Sequence, residues 1–157
     1  RVTSFLAPEK DILDTAWHAY QAKVAIGSGG LTGQGFLQGT QNQHKFLPDQ
    51  HSDFPFPVWA EEHGFIGCVL LIALYMVLVL LGIKIASEAK DRFGAVVALG
   101  VSALIFWHTV INLGMVCGLL PVVGITLPLF SYGGSSVLTM MAGIGLLMNV
   151  SMRRFHF

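Results

Sequence analysis

Two long stretches without formal charge dominate the chain. Residues 63–83, between Glu62 and Lys84, hold 21 positions with no Asp, Glu, Lys or Arg, and 65–83 is nearly continuous Leu, Ile, Val and Ala. At about 1.5 Å per residue, a helix of that length spans roughly the 30 Å hydrocarbon core of a bilayer. A first membrane helix is therefore expected over 58–86. A polar loop, S-E-A-K-D-R at 87–92, follows it, and then 93–152 runs for 60 residues without a charge. Such a run is too long for one helix and suits two with a connection, which Gly118, Pro121, Gly124 and Pro128 mark. Helices are expected over 93–117 and 131–152. The piece between them, 118–130, is too short to cross and too apolar for a free loop, so it reads as a re-entrant or interfacial segment.

Residues 1–57 are different material. The spacing of Trp17, Tyr20 and Val24 predicts an amphipathic helix over 11–26. Six glycines then fall within 27–39, G-S-G-G-L-T-G-Q-G-F-L-Q-G. That density opposes a regular element and lets backbone approach a partner closely.

Composition agrees with lipid as the solvent. The chain of 157 residues is 54% hydrophobic and 11% charged, with mean hydropathy +0.66; soluble domains carry about a quarter charged residues. The fold class read from these features is an all-α polytopic membrane protein. It comprises three transmembrane helices of a larger bundle, preceded by a long outer loop with short helical segments. The first residue is Arg1, with no signal-peptide pattern, and the chain reads as the C-terminal part of a longer protein. Zero net charge argues against nucleic acid. Cys68 and Cys117 lie in apolar runs without metal-ligand spacing and read as small buried hydrophobes.

Charge bias orients the crossings. Lys84, Lys90 and Arg92 around the first connection, and Arg153 and Arg154 after the third helix, belong to the cytoplasmic side by the positive-inside rule. The segment before the first helix then faces outward. Its most distinctive stretch is F-L-P-D-Q-H-S-D-F at 46–54, which sets Asp49, His51, Ser52 and Asp53 at a water–lipid boundary. Ser52 or Asp53 suits a helix N-cap and Pro55 a first-turn position. A capped carboxylate near water also suits a general base or a metal ligand.

Other candidates are weaker. The glycine segment lacks the G-K-[ST] of a phosphate-binding loop, yet successive amides, Gly29 and Gly30 among them, can cradle a phosphate. Gln41 and Gln43 suit sugar hydroxyls or any wet loop. Lys23 and Lys45 suit a diphosphate or simple solvation. Glu61 and Glu62 are placed at the start of the first helix, where the macrodipole favours acids. His108 and Asn112 share one face of the second membrane helix, as an interhelical hydrogen bond or a proton relay. Ser135, Thr139 and Gly143 form a small-residue stripe on the third.

Several of these motifs together resemble one family. A-I-G-S-G-G-L-T-G-Q-G from Ala25, G-T-Q-N-Q from Gly39, F-L-P-D-Q-H-S-D-F from Phe46, A-E-E-H-G at Ala60, N-L-G-M-V-C-G-L-L-P-V-V-G at Asn112 and L-P-L-F-S-Y-G-G-S-S at Leu127 occur in the order seen in the SEDS (shape, elongation, division and sporulation) family. The stretch at Gly39 is closer to the elongation branch than to the division branch. The resemblance implies roughly ten membrane helices in a whole member, of which this chain would be the last large outer loop and final three helices. It implies a peptidoglycan glycosyltransferase of the bacterial cytoplasmic membrane. Such an enzyme polymerises lipid II, an undecaprenyl-linked disaccharide-peptide, into β-1,4 glycan strands. The acid of the family's H-T-D-F motif falls on Asp53, with the implied role of general base. His51, Ser52, Glu61, Glu62, Gln41, Gln43, Lys23, Lys45, Gly29 and Gly30 are its candidate substrate-binding neighbours. A divalent cation such as Mg2+ is an open alternative to positive side chains at the leaving diphosphate. The implied partners are a class B penicillin-binding protein transpeptidase and elongation-machinery membrane proteins. The family generally has Thr at Ser52, helix-compatible residues at Pro55 and Pro57, and Leu at His63. A precursor flippase and a non-catalytic scaffold for a transpeptidase are the alternative readings.

Overall fold

The computed structural model describes residues 15–35, 55–121 and 123–153. Among them lie four α-helices and no strand: α1 (Thr15–Ser28), α2 (Pro55–Ser87), α3 (Arg92–Val116) and α4 (Gly134–Arg153). Three of these, α2, α3 and α4, are long and apolar enough to cross a bilayer. The protein is thus an all-α membrane protein.

Each membrane helix starts and stops for local reasons. Pro55 and Pro57 occupy the first turn of α2, where amides have no intrahelical acceptor and proline removes nothing. At the other end Ser87 Oγ donates to the Lys84 carbonyl, and Lys84 itself lies in the last turn. The N-cap of α3 is Asp91, whose carboxylate accepts from the Gly94 amide at 3.3 Å. Beyond the end of α3, Gly118 turns into the left-handed region at φ 71° and its amide donates to the Met115 carbonyl. Arg153 in the last turn of α4 faces the negative end of that helix's dipole.

A helix of 33 residues is about 50 Å long, well beyond a bilayer core. α2 is in fact interrupted: Gly64 has φ 65° and ψ −163°. The interruption divides it into a short half, 55–63, and a 23-residue half, 65–87, and the second alone is long enough to cross.

α2 packs chiefly on α3, α4 packs on α3, and α1 lies against the first half of α2. Val79, Ile105 and Met140 form one buried cluster where α2, α3 and α4 meet. Ala22, Phe56, Ala60, Cys68, Leu71, Val116 and Leu127 form another at the α1 end of the bundle. The buried face of α1 is Gln21, Ala22 and Ala25, whereas Tyr20 is exposed. The buried contact of α1 is therefore carried mainly by small residues, Ala22 and Ala25, which permit the closest approach of two helices. The small-residue stripe of α4 also differs from expectation. Ser135 and Thr139 are exposed, whereas Gly143 lies against Val101 of α3. The face of α4 that packs on its neighbours is carried by Met140 and Leu147.

Candidate functional site

The glycine segment and the break in α2 form one unit. In an unbroken helix the Phe65 amide would donate to the Glu61 carbonyl and the Ile66 amide to the Glu62 carbonyl. Instead Phe65 N donates to Gly30 O at 2.9 Å and Ile66 N to Leu31 O at 3.3 Å. The freed carbonyls of Glu61 and Glu62 accept from Gln34 N at 2.9 Å and Gly35 N at 3.1 Å. Two helical bonds are thus replaced by four bonds to the loop.

Contact this close requires glycine on both sides. A methyl at Gly29 would overlap the Ala60 carbonyl, one at Gly33 the Glu62 carbonyl, and one at Gly64 the Gly33 amide nitrogen. Gly33 and Gly64 also hold positive φ, at 80° and 65°. The backbone approached so closely is therefore the chain's own. The carbonyl of Gly30 and the packing surface of Gly29 are both engaged by α2.

Glu61 and Glu62 are buried, at 1% and 8% exposure. They do not start α2 as expected but occupy its second turn, just before the break. At the C-terminal end of a half-helix the dipole disfavours acids, so stabilisation of a helix start does not account for them. Trp59 and His63, one turn apart, stack at 3.7 Å, and Phe130 meets the Trp59 ring edge-on at 5.5 Å. Trp59 Nε1 donates to the Gly67 carbonyl across the break at 3.1 Å.

The segment joining α3 to α4 closes the same end. Tyr75 donates its hydroxyl to the Pro128 carbonyl at 2.5 Å, and Asn112 Nδ2 donates to the Ile125 carbonyl at 2.6 Å. The Ser131 hydroxyl accepts from the Leu127 amide, and Thr126 and Ser136 share a hydroxyl hydrogen bond. Irregular backbone at this depth survives because side chains of the bundle satisfy it. Asn112 thus bonds the connection. His108 Nδ1 pairs with the Leu104 carbonyl of its own helix, so the two do not form a relay. The Lys23 side chain lies against Gly118, with its ammonium at the C-terminal end of α3, where the dipole is negative. Cys117, expected buried, is exposed, because it lies past the last turn of α3.

Of the expected site residues, Lys23, Gly29, Gly30, Glu61 and Glu62 converge at this end of the bundle. Asp53, together with Gln41, Gln43, Lys45, His51 and Ser52, lies outside the described residues. Among the described residues, no three His, Cys, Asp or Glu are grouped to hold a metal. Sequence reasoning missed Tyr75, Trp59 and the pairing of Gly33 with Gly64. The one available signal was a glycine, Gly64, interrupting an otherwise helical run.

A family model for FtsW, RodA and SpoVE, described as cell cycle protein, matches residues 1–156. The chain belongs to this family. The peptidoglycan glycosyltransferase MrdB of Escherichia coli K12 is 49% identical over 154 residues, covering 98% of this chain and 42% of that protein. The peptidoglycan glycosyltransferase RodA of Treponema pallidum is 44% identical over 98% of this chain and 36% of its own length. Stage V sporulation protein E of Bacillus subtilis is 45% identical over 96% of this chain and 41% of that protein. A solved peptidoglycan synthase complex, described as coordinating polymerisation and crosslinking, superposes with TM-score 0.75 at 32% identity. That match covers all of this chain and 42% of the neighbour. Rod shape determining protein RodA of Thermus thermophilus gives TM-score 0.66 at 38% identity, over 81% of this chain and 39% of its own. The chain therefore spans less than half the length of the relatives it matches.

Proposed function

We propose that the protein containing this chain is a peptidoglycan glycosyltransferase that polymerises lipid II during cell-wall elongation, with Asp53 as its general base. The observation that carries the reading is near-complete coverage of the chain, at 49% identity, by a relative named a peptidoglycan glycosyltransferase. In the reaction, Asp53 takes the proton of the acceptor's 4-hydroxyl as that oxygen attacks the donor's anomeric carbon. The bond from that carbon to the diphosphate oxygen breaks, and undecaprenyl diphosphate leaves. A base at the membrane boundary suits a substrate whose reacting sugar is tethered to a buried lipid. The basic residues Lys84, Lys90 and Arg92 favour the cytoplasm for the α2–α3 loop and the outer face for the Asp53 segment.

Neutralising the leaving diphosphate falls to Lys23 and Lys45 or to a divalent cation such as Mg2+. Gln41 and Gln43 are the proposed partners for sugar hydroxyls, with His51 and Ser52 flanking the base. A class B penicillin-binding protein transpeptidase is the proposed partner, consistent with the solved neighbour's being a synthase complex, and elongation-machinery membrane proteins complete the assembly. A transport reading draws no support from His108 and Asn112, because both are engaged by backbone carbonyls.

The test is polymerisation of labelled lipid II by the full-length protein in vesicles. Asp53→Asn keeps the shape and removes the base, and is expected to cut the rate by about 100-fold or more. Wild-type polymerisation by Asp53→Asn and Asp53→Ala would remove Asp53 from the mechanism.

A further inference from the structure

We propose that the loop 29–35 acts as a backbone clip that positions the half-helix 55–63, with Gly33 and Gly64 as the positioning residues of the glycosyltransferase site. The proposal rests on the glycosyltransferase reading above and deepens it. Only Phe54 lies between Asp53 and Pro55 in the chain, so two peptide steps give a reach of about 7 Å at most. The direction of 55–63 therefore governs where the segment carrying Asp53 is delivered.

That direction is not set by helix geometry. A continuous α2 would carry 55–63 straight on along the axis of 65–87. Gly64, at φ 65° and ψ −163°, turns it instead, in a region of backbone space open essentially to glycine alone. A turned helix leaves two donors and two acceptors unsatisfied at an apolar boundary, where each costs free energy. The loop supplies all four partners through Gly30, Leu31, Gln34 and Gly35. Turn and clip thus depend on each other: without the loop, the helix regains its own two bonds by straightening. α1 anchors the loop by burying Ala22 with Phe56 and Ala60 of the half-helix. The Trp59 indole also reaches across the break to Gly67.

Two substitutions open the clip from opposite sides. In Gly33→Ala the new methyl meets the Glu62 carbonyl and expels the loop. In Gly64→Ala the left-handed turn is lost and α2 straightens. Hydrogen exchange on the full-length protein reads the result in peptides covering 29–36 and 61–68. In the wild type the amides of Gln34, Gly35, Phe65 and Ile66 are expected to be protected. In Gly64→Ala, Gln34 and Gly35 exchange rapidly while Phe65 and Ile66 stay protected, having regained the carbonyls of Glu61 and Glu62. For both variants kcat for lipid II polymerisation is expected to fall about 10–100-fold, with KM within about threefold, as misplacement of a catalytic group demands. Gly100→Ala, whose added methyl meets nothing within 4 Å, controls for the loss of a glycine as such.

Rapid exchange at Gln34 and Gly35 with an unchanged kcat would overturn the proposal, as would fast exchange of those amides in the wild type. If neither variant folds, Gly30→Ala provides the milder opening. Its methyl enters open space and strains only a φ of 55°, so intermediate exchange should accompany an intermediate kcat. Intermediate exchange with full kcat would count against the clip. Asp53→Asn, assayed in parallel, separates the two readings. Inactive Asp53→Asn beside a fully active open clip removes the clip alone, whereas active Asp53→Asn removes the assigned base.

Discussion

Replacing Tyr75 with Phe tests how the connection between α3 and α4 is held. The substitution removes one oxygen and leaves the ring, so packing against Leu71, Leu127 and their neighbours is retained. What is lost is the hydroxyl donor to the Pro128 carbonyl, a 2.5 Å bond between residues 53 apart in sequence. Pro128 is among the fully buried side chains of the protein, so water does not readily replace the donor. A typical hydrogen bond contributes about 0.5–1.5 kcal/mol net, and stranding a buried acceptor costs about 1–3 kcal/mol. Membrane proteins fall toward the low end, averaging about 0.6 kcal/mol, because the unfolded chain in lipid also finds partners. The expected loss is about 0.6–1.5 kcal/mol, roughly a 3–13-fold shift of the folding equilibrium. Reversible unfolding of the full-length protein by SDS in mixed micelles measures it. Tyr132→Phe is the control, since Tyr132 is 85% exposed and should change nothing. If Tyr75→Phe falls within about 0.3 kcal/mol of wild type, well below a typical hydrogen bond, the hydroxyl does not secure the connection and the argument fails.

Gly82→Ala would drive a methyl into the Ser102 hydroxyl where α2 crosses α3, at an expected cost of about 1–3 kcal/mol for overpacking. Adding Ser102→Ala should recover part of that loss, and SDS unfolding of the two single variants and the double variant would show it. Asp91→Ala removes the N-cap of α3 and should cost about 1 kcal/mol; Asp91→Asn, which keeps the cap oxygen, should cost less in the same assay.

Much of the architecture was legible because lipid imposes a one-dimensional rule. An uncharged run of sufficient length either crosses or is covered, and the two long runs of this chain resolved into α2, α3 and α4. Family motifs in order made the likeness legible for the same reason, since they are strings. Side-chain partnerships were not strings. Tyr20 looked like part of a packed face, but Ala22 and Ala25 allow closer contact with α2. Asn112 looked like a partner for another helix, yet its amide donates to the irregular backbone at Ile125. Glu61 and Glu62 looked like the start of a helix that in fact begins at Pro55.

The sequence by itself determined the solvent, the three long apolar helices among the described residues, and the family. Each follows from local composition, spacing or motif, which the linear chain carries in full. Only the tertiary structure decided what the glycines between 29 and 35 are for. They pair with a break at Gly64, some thirty residues away, and complete hydrogen bonds that an interrupted helix cannot make for itself. No periodicity announces such a pairing, because it depends on two backbones meeting at a distance that only glycine permits.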